Sequence, residues 1–126
     1  MTQPTLILNG EARDTGSLGT LPLIDPASET EICLLPKAGR AEAQEAARLA
    51  AEGFAEWSAV SPFERGKILR AAAELMREQA DEAAADMTRE QGKPLAQARG
   101  EWMGSADCID WFAEEGRRTY GRVIPS

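Results

Sequence analysis

The spacing of the apolar residues changes near residue 40, and this change constrains the fold more than any other feature of the chain. Before that point, apolar residues form short β-prone runs separated by turn-forming residues. After Ala41 they recur at steps of three and four residues, the period of an amphipathic helix. The sequence therefore predicts an α+β arrangement, with strands and turns over 1–37 and four helices over 40–121.

The amino-terminal part contains three extended segments. The first, over 5–8, runs into Asn9-Gly10, a pair that favours a tight hairpin turn because both residues tolerate positive φ. Two more segments, over 21–24 and 31–36, lie on either side of a turn that contains a proline. We therefore expect a β-hairpin at the start, followed by two short strands.

Capping residues divide the helical part. Ser61, Pro62 and Glu64 form the start of a second helix, because serine caps, proline suits the first helical position and glutamate completes a capping box. Gly92 is expected to end the third helix in the left-handed conformation. Pro94 cannot continue that helix and begins the fourth. The fourth helix ends near 116–121, and the chain is expected to close in an extended segment over 122–126.

The helical period also predicts which residues are buried. In the first helix these are Ala43, Ala46, Ala47, Ala50, Phe54 and Trp57. In the second they are Ile68, Leu69, Ala72, Leu75 and Met76. In the fourth they are Leu95, Ala98, Trp102, Ala106, Ile109, Phe112 and Ala113. Each set lies on one side of its helix, so each helix should pack through that side.

The fourth helix carries a second face with small side chains. Gly100, Gly104, Ser105 and Cys108 lie there, and Trp111 is also off the main stripe. Glycine inside a helix costs about 1 kcal/mol relative to alanine, so two of them suggest that another backbone or a ligand passes close by. We expect polypeptide from outside these 126 residues to pack on this face.

Charge and composition exclude several classes of function. The chain has 21 acidic and 14 basic residues and a net charge of −7, so nucleic acid is not expected as a partner. No apolar run approaches the roughly 20 residues that a membrane crossing needs. The first residues lack the features of a leader peptide, so the cytoplasm is the expected location. No membrane partner is expected.

The residues that usually carry catalysis are scarce. There is no histidine, which removes the commonest general base and metal ligand. Cys33 and Cys108 are expected to be reduced, small buried side chains. Gly92-Lys93 does not fit a phosphate-binding loop, because such a loop needs glycine and Ser or Thr where Met87 and Pro94 stand.

Acidic residues do not supply an active site either. The cluster in the third helix, Asp81, Glu82, Asp86 and Glu90, lacks the alternating ligands and central glycine of a calcium loop. Local chemistry alone therefore predicts an α+β domain without an active site of its own.

The chain resembles the N-terminal part of the aldehyde dehydrogenase superfamily, and within it the succinate-semialdehyde dehydrogenase branch. The pieces that carry the resemblance occur in the order of the family: Leu8-Asn9-Gly10-Glu11, Ile24-Asp25-Pro26-Ala27-Ser28-Glu29-Thr30, Phe54-Ala55-Glu56-Trp57, Arg65 to Leu69, Glu90-Gln91-Gly92-Lys93-Pro94-Leu95, Ala98-Arg99-Gly100-Glu101, Trp111-Phe112-Ala113-Glu114-Glu115 and Tyr120-Gly121. Each piece is short, but the ordered set spans nearly the whole chain.

The resemblance implies an enzyme that oxidises an aldehyde, such as succinate semialdehyde, to the acid with NAD or NADP. It also implies that the nucleophilic cysteine, the general-base glutamate, the oxyanion-hole asparagine and the cofactor-binding lysine lie beyond the position of Ser126. The resemblance makes the chain a partial N-terminal region over 1–126, an α/β fragment that is part of the cofactor-binding domain without the catalytic domain. It would be cut from a longer chain or encoded by a truncated gene. Alone, it is expected to be inactive and to bind no cofactor.

The resemblance further assigns roles to particular residues. Gly100, Glu101, Gly104 and Cys108 match positions that flank the substrate tunnel. The carbonyls of Leu23 and Ile24, with Glu90, match a structural site for a monovalent cation. The expected partners are the rest of the same catalytic chain and further copies of it in a homo-oligomer.

A different class of function stays open from the residues alone. A stand-alone helical interaction module could use the face from Gly100 to Cys108 to bind a partner protein. The two hypotheses differ in what covers that face: further dehydrogenase polypeptide in the first, and a separate protein in the second.

Overall fold

A computed structural model describes residues 4–121 and residue 124, and shows two small antiparallel sheets followed by four helices. The elements are β1 (Leu6–Leu8), β2 (Glu11–Arg13), β3 (Thr20–Ile24), β4 (Glu31–Pro36), α1 (Arg40–Ala59), α2 (Pro62–Glu78), α3 (Ala80–Gln91) and α4 (Leu95–Glu115). The predicted α+β class and the order of strands before helices are confirmed. The extended segment expected over 122–126 falls on residues of which only Ile124 is described.

The strands form two separate hairpins. In the first, β1 pairs with β2 through the predicted turn, where Asn9 and Gly10 have φ values of 52° and 79°. In the second, β3 pairs with β4. The Asp25 carboxylate stabilises the connecting turn by accepting hydrogen bonds from the amides of Ala27 (2.7 Å) and Ser28 (3.3 Å), with the Ala27 bond the main cause that lowers the pKa of Asp25.

Helix α4 packs along both α2 and α3. The buried apolar side chains of the described residues are all alanines on these three helices: Ala73, Ala80, Ala84, Ala98, Ala106 and Ala113. Gly66 is also buried, and a Cβ built there would lie 3.0 Å from the backbone oxygen of Ala113. Small residues therefore allow the backbones of α2 and α4 to approach closely.

The start of α2 and the end of α3 follow the predicted capping. The Ser61 hydroxyl accepts a hydrogen bond from the Glu64 amide at 3.2 Å, and Gly92 has a φ of 71°. The capping box is only half formed, because the Glu64 carboxylate accepts a hydrogen bond from Lys67 at 2.7 Å. Local sequence thus sets the helix ends, while the ion pair with Lys67 keeps the Glu64 side chain from completing the capping box.

The buried stripe predicted for α2 is wrong in part. Leu69 and Met76 are half-buried, but Ile68 and Leu75 are 52% and 56% exposed, and Ala72 is exposed as well. The helix packs through Gly66 and Ala73, which the hydrophobic period did not single out. The reason is that close helix packing selects the smallest side chains, whereas periodicity weights the largest.

The buried stripe predicted for α1 is not buried either. None of its residues is buried, and Phe54 and Trp57 are 68% and 40% exposed. Within the described chain no other helix packs along α1. In α4 the prediction of burial is confirmed for Ala98, Ala106 and Ala113. Trp102 and Ile109 are half-buried, and Leu95 and Phe112, near the two ends of the helix, are exposed.

Candidate functional site

The residues expected beside a substrate tunnel lie on the side of α4 that faces away from α2 and α3. Gly100, Gly104 and Cys108 follow one another at steps of four, so they form one row along the helix, which we call the outer row. All three are exposed. A Cβ built at Gly100 or Gly104 would meet nothing within 4 Å. The close neighbour predicted for these glycines is therefore not part of the described chain, and the prediction that Cys108 is buried is wrong.

The opposite side of α4 fixes the direction in which the outer row points. We call this side, with Ala98, Trp102, Ala106 and Ala113, the inner face. The indole nitrogen of Trp102 donates a hydrogen bond to the backbone oxygen of Met76 at 2.6 Å. This bond joins the middle of α4 to α2 and limits rotation of α4 about its own axis.

Ion pairs between α2 and α4 support the same orientation. The Arg77 guanidinium donates to Asp107 at 2.8 Å and Asp110 at 2.6 Å, and also to Glu74 at 2.9 Å. The bond to Asp107 is the main cause that raises the pKa of Arg77, so this group is a permanent cation. A second pair joins Arg70 to Glu114. Sequence reasoning missed these pairs between helices, because nothing local links residues 30 or more positions apart.

Glu101 is the one acidic residue of the expected tunnel flank. Its carboxylate accepts a hydrogen bond from the ammonium group of Lys93, and it is exposed. Lys93 lies directly after the helix-ending Gly92, so the pair holds the start of α4 against the junction before it. A carboxylate engaged by a lysine serves better as a structural anchor than as a free base.

The expected cation site draws on two elements that the structure brings into contact. A Cβ built at Gly92, just after α3, would lie 3.0 Å from Cγ of Pro26, in the turn that follows β3. Leu23 and Ile24 are therefore near the same end of the molecule as the last turn of α3, where Glu90 is exposed. Within 4–121, no cluster of three or more Cys, Asp or Glu residues is placed to hold a metal ion.

A polar contact between the strands and α1 was also missed from the sequence. The Glu42 carboxylate accepts hydrogen bonds from the Ser17 amide (2.6 Å), the Ser17 hydroxyl (2.7 Å) and the Gly39 amide (2.9 Å). These bonds, led by the one from the Ser17 hydroxyl, lower the pKa of Glu42 to about 2. Arg13 and Glu45 form a bidentate pair at 2.9 Å beside it. The position of Glu42 three residues after Gly39 is the only local signal.

The described residues line cavities of modest size. One cavity of about 230 Å³ lies between the turn after β1 and α1, lined in part by Ile7 and Leu49. Another, of about 200 Å³, lies beside Trp102 and Asp86. Both are smaller than the roughly 300–1,000 Å³ typical of small-molecule sites.

The described part of the chain also lacks an activated nucleophile. Cys33 is half-buried on β4 opposite Leu23, and Cys108 is exposed on α4 next to Asp107. The chain has no histidine to deprotonate either thiol.

No helix within the described ranges combines the length and the apolar character needed to span a bilayer.

Comparison with known proteins gives consistent matches. Residues 13–126 match the sequence model of the aldehyde dehydrogenase family. A glutarate-semialdehyde dehydrogenase of Pseudomonas putida is 43% identical over 118 residues, which are 94% of this chain and 25% of that protein. An NADP⁺ succinate-semialdehyde dehydrogenase of Escherichia coli is 41% identical over 119 residues, again 94% and 25%.

Solved structures agree with the sequence matches. A succinate-semialdehyde dehydrogenase of Burkholderia pseudomallei superposes with a TM-score of 0.90 and 37% identity, over 98% of this chain and 26% of that one. The chain thus spans about a quarter of the length of the relatives it matches.

Proposed function

Because this chain belongs to the aldehyde dehydrogenase family, we propose that it works as the N-terminal part of an enzyme that oxidises an aldehyde to the carboxylic acid with NAD or NADP. The observation that carries the proposal is the match along 94% of the chain to two semialdehyde dehydrogenases, at 43% and 41% identity. The proposed substrate class is the semialdehyde of a short dicarboxylic acid, as in the names of those two relatives.

In this proposal the partner of the chain is the remaining polypeptide of the dehydrogenase. The exposed outer row of α4 and the exposed apolar side of α1 support it, because both leave apolar or small residues without cover. The complete enzyme would be a cytoplasmic homo-oligomer. The outer row would lie beside the substrate tunnel, where glycine at 100 and 104 leaves space for the substrate.

The residues of this chain then have structural rather than chemical roles. The inner face of α4 holds the helix on α2 and α3, and Lys93 with Glu101 holds its first turns. The carbonyls of Leu23 and Ile24, with Glu90, would bind a monovalent cation that ties the β3–β4 turn to α3. NAD or NADP, bound by the remaining polypeptide, would accept the hydride.

The chain alone is expected to lack dehydrogenase activity and to bind neither cofactor. Two observations support this: the chain has no histidine and no described thiol beside a base, and the two small cavities do not fit a dinucleotide. Aldehyde-dependent NADPH or NADH formation by the purified 126-residue chain would contradict this part of the proposal.

A chimeric enzyme tests the proposal directly. The N-terminal quarter of the Escherichia coli enzyme, which matches this chain at 41% identity, is replaced by the present sequence. We expect the chimera to form NADPH from NADP⁺ and succinate semialdehyde, while the same enzyme lacking its N-terminal quarter does not. A soluble chimera of normal oligomeric size without activity would count against the proposal and would favour a stand-alone interaction module.

A further inference from the structure

The chain divides into two parts that differ in how they are held together. The N-terminal unit comprises β1 to β4 and α1, over 6–59, and the helical unit comprises α2 to α4, over 62–115. All the described buried side chains belong to the helical unit, and α1 contributes none over its 20 residues. Burial of apolar surface is the main source of stability, so we expect the helical unit to be more stable than the N-terminal unit.

Contacts within the helical unit join residues that are far apart in sequence. Trp102 bonds to the Met76 backbone, and Arg77 reaches both Asp107 and Asp110. Each contact lies next to the alanine-lined interface between α2 and α4. The indole bond and the bond to Asp110 are half-buried, whereas the bond to Asp107 is exposed, so only the first two gain strength from the reduced access of water.

The N-terminal unit is held mainly by polar contacts at the surface. Arg13 with Glu45, and Ser17 with Glu42, connect the strand region to α1. Both contacts are exposed or only half-buried. Exposed ion pairs contribute little, because water competes for the same groups.

The junction between the two units is short. Helix α1 ends at Ala59, Val60 is extended with a ψ of 134°, and α2 begins at Pro62. The Arg65 guanidinium of α2 donates a hydrogen bond to the Val60 backbone oxygen at 2.7 Å and caps the end of α1. The same guanidinium lies 3.5 Å from the backbone oxygens of Trp57 and Ser58, and Pro26 lies close to Gly92. No large apolar side chain of the described residues is fully buried at this junction.

We propose that the N-terminal unit opens without unfolding the helical unit, by rotating about Val60 and Ser61. This inference goes beyond the proposed function and does not depend on it. Its consequence is an order of assembly: α2 to α4 form a stable helical unit first, and β1 to β4 with α1 become fixed last, when their exposed apolar residues are covered.

Hydrogen exchange of the full 126-residue chain, read by mass spectrometry of peptic peptides, measures the opening of each unit. We expect peptides from α2, α3 and α4 to exchange about 100-fold more slowly than peptides from α1 and the strands, because local opening exposes the second group alone. Equal protection in both units, or protection confined to the N-terminal unit, would overturn the proposal. Absence of protection throughout the chain would overturn it too, since α2 to α4 would then not be stable alone.

A matched pair of substitutions sharpens the experiment. Arg13→Gln removes the pair with Glu45 and is expected to raise exchange by up to about 5-fold in β1, β2 and α1 only. Arg77→Gln is expected to raise exchange in α2 and α4 and to leave the N-terminal unit nearly unchanged, because that unit exchanges through its own, more frequent opening. If Arg13→Gln raised exchange equally in α2 and α4, the two units would not open independently.

Discussion

The two faces of α4 are both rich in small residues, but one face is buried against other helices and the other is exposed to solvent. The inner face buries Ala98, Ala106 and Ala113 against α2 and α3, and the outer row leaves Gly100 and Gly104 open. Each face also carries one tryptophan. Trp102 is half-buried and hydrogen-bonded, while Trp111 is 59% exposed and meets the ring of its neighbour Phe112 edge-on, with ring centroids 4.9 Å apart.

The difference shows that residue size alone does not decide which face of a helix packs within the chain. On the packed side, Arg70 and Arg77 of α2 also pair with Glu114, Asp107 and Asp110 of α4, so charge favours the same side that the alanines pack through. The inner face therefore stabilises the chain, and the outer row is exposed. The substitutions below test this difference between the two faces.

A buried charge on the inner face should disrupt the helical unit. Ala106 is fully buried, so Ala106→Asp places an unpaired carboxylate between helices and should lower the free energy of unfolding by about 3 kcal/mol or more. Thermal unfolding followed by circular dichroism measures the loss. Ser105→Asp, one position away and exposed, is the control and should change stability by less than about 0.5 kcal/mol. Similar losses in both variants would remove the distinction between the faces.

The same substitution at two glycines should have opposite effects. Gly66→Ala places a Cβ about 3.0 Å from the Ala113 carbonyl oxygen, so we expect a destabilisation of about 1–2 kcal/mol from overpacking. Gly104→Ala meets open space, so the gain in helix propensity should stabilise the chain by about 0.5–1 kcal/mol. Urea unfolding curves of the two variants provide the comparison. A stabilising Gly66→Ala would mean that α2 and α4 are less closely packed than described.

The two tryptophans should respond differently to replacement by phenylalanine. Trp102→Phe leaves the Met76 carbonyl without its 2.6 Å donor and should cost about 1 kcal/mol of stability. Trp111→Phe removes an exposed ring and should change stability by less than half as much. Each variant also removes one of the three tryptophans. The difference in fluorescence between the variant and the parent chain during unfolding therefore reports the environment of the ring that was removed. An equal cost at both positions would contradict the assignment of Trp102 to the stabilising face.

Acid should affect the strand region through Glu42, away from both faces of α4. Its pKa is lowered from the ordinary 4.5 to about 2, so its contribution to stability is present above pH 4.5 and is lost as the pH falls toward 2. The amide NMR shifts of Ser17 and Gly39, its two backbone donors, should titrate with a midpoint near 2. Glu42→Gln should abolish that titration. A midpoint near 4.5 would show that these hydrogen bonds do not persist in solution.

Local signals in the sequence predicted the elements and their ends well. Asn9-Gly10 gave the first hairpin, Ser61 the start of α2 and Gly92 the end of α3, because each acts through contacts within a few residues. The ordered motifs predicted the family for a similar reason, because each motif is a short run of consecutive residues and their order along the chain is visible in the sequence. Neither kind of signal requires knowledge of which helix lies next to which.

Signals that depend on packing between distant residues were harder to predict. The periodicity of α2 indicated Ile68 and Leu75 as buried, yet close packing at Gly66 and Ala73 turns both away from α4. In α1, the periodicity indicated Phe54 and Trp57 as buried, yet no other helix of the described chain packs along α1 and the two rings are 68% and 40% exposed. The Arg77 and Glu42 contacts were missed because their partners are 25 to 33 residues away.

The claim that the inner face holds the fold, while the outer row lies beside the proposed substrate tunnel, is tested by the chimeric enzyme carrying Gly104→Trp. We expect kcat/KM for succinate semialdehyde to fall by about 10-fold or more relative to the Gly104→Ala chimera, because the indole would fill space beside that tunnel. Oligomeric size and NADP⁺ binding should stay unchanged, which excludes misfolding as the cause. An unchanged kcat/KM in the Gly104→Trp chimera would contradict the claim.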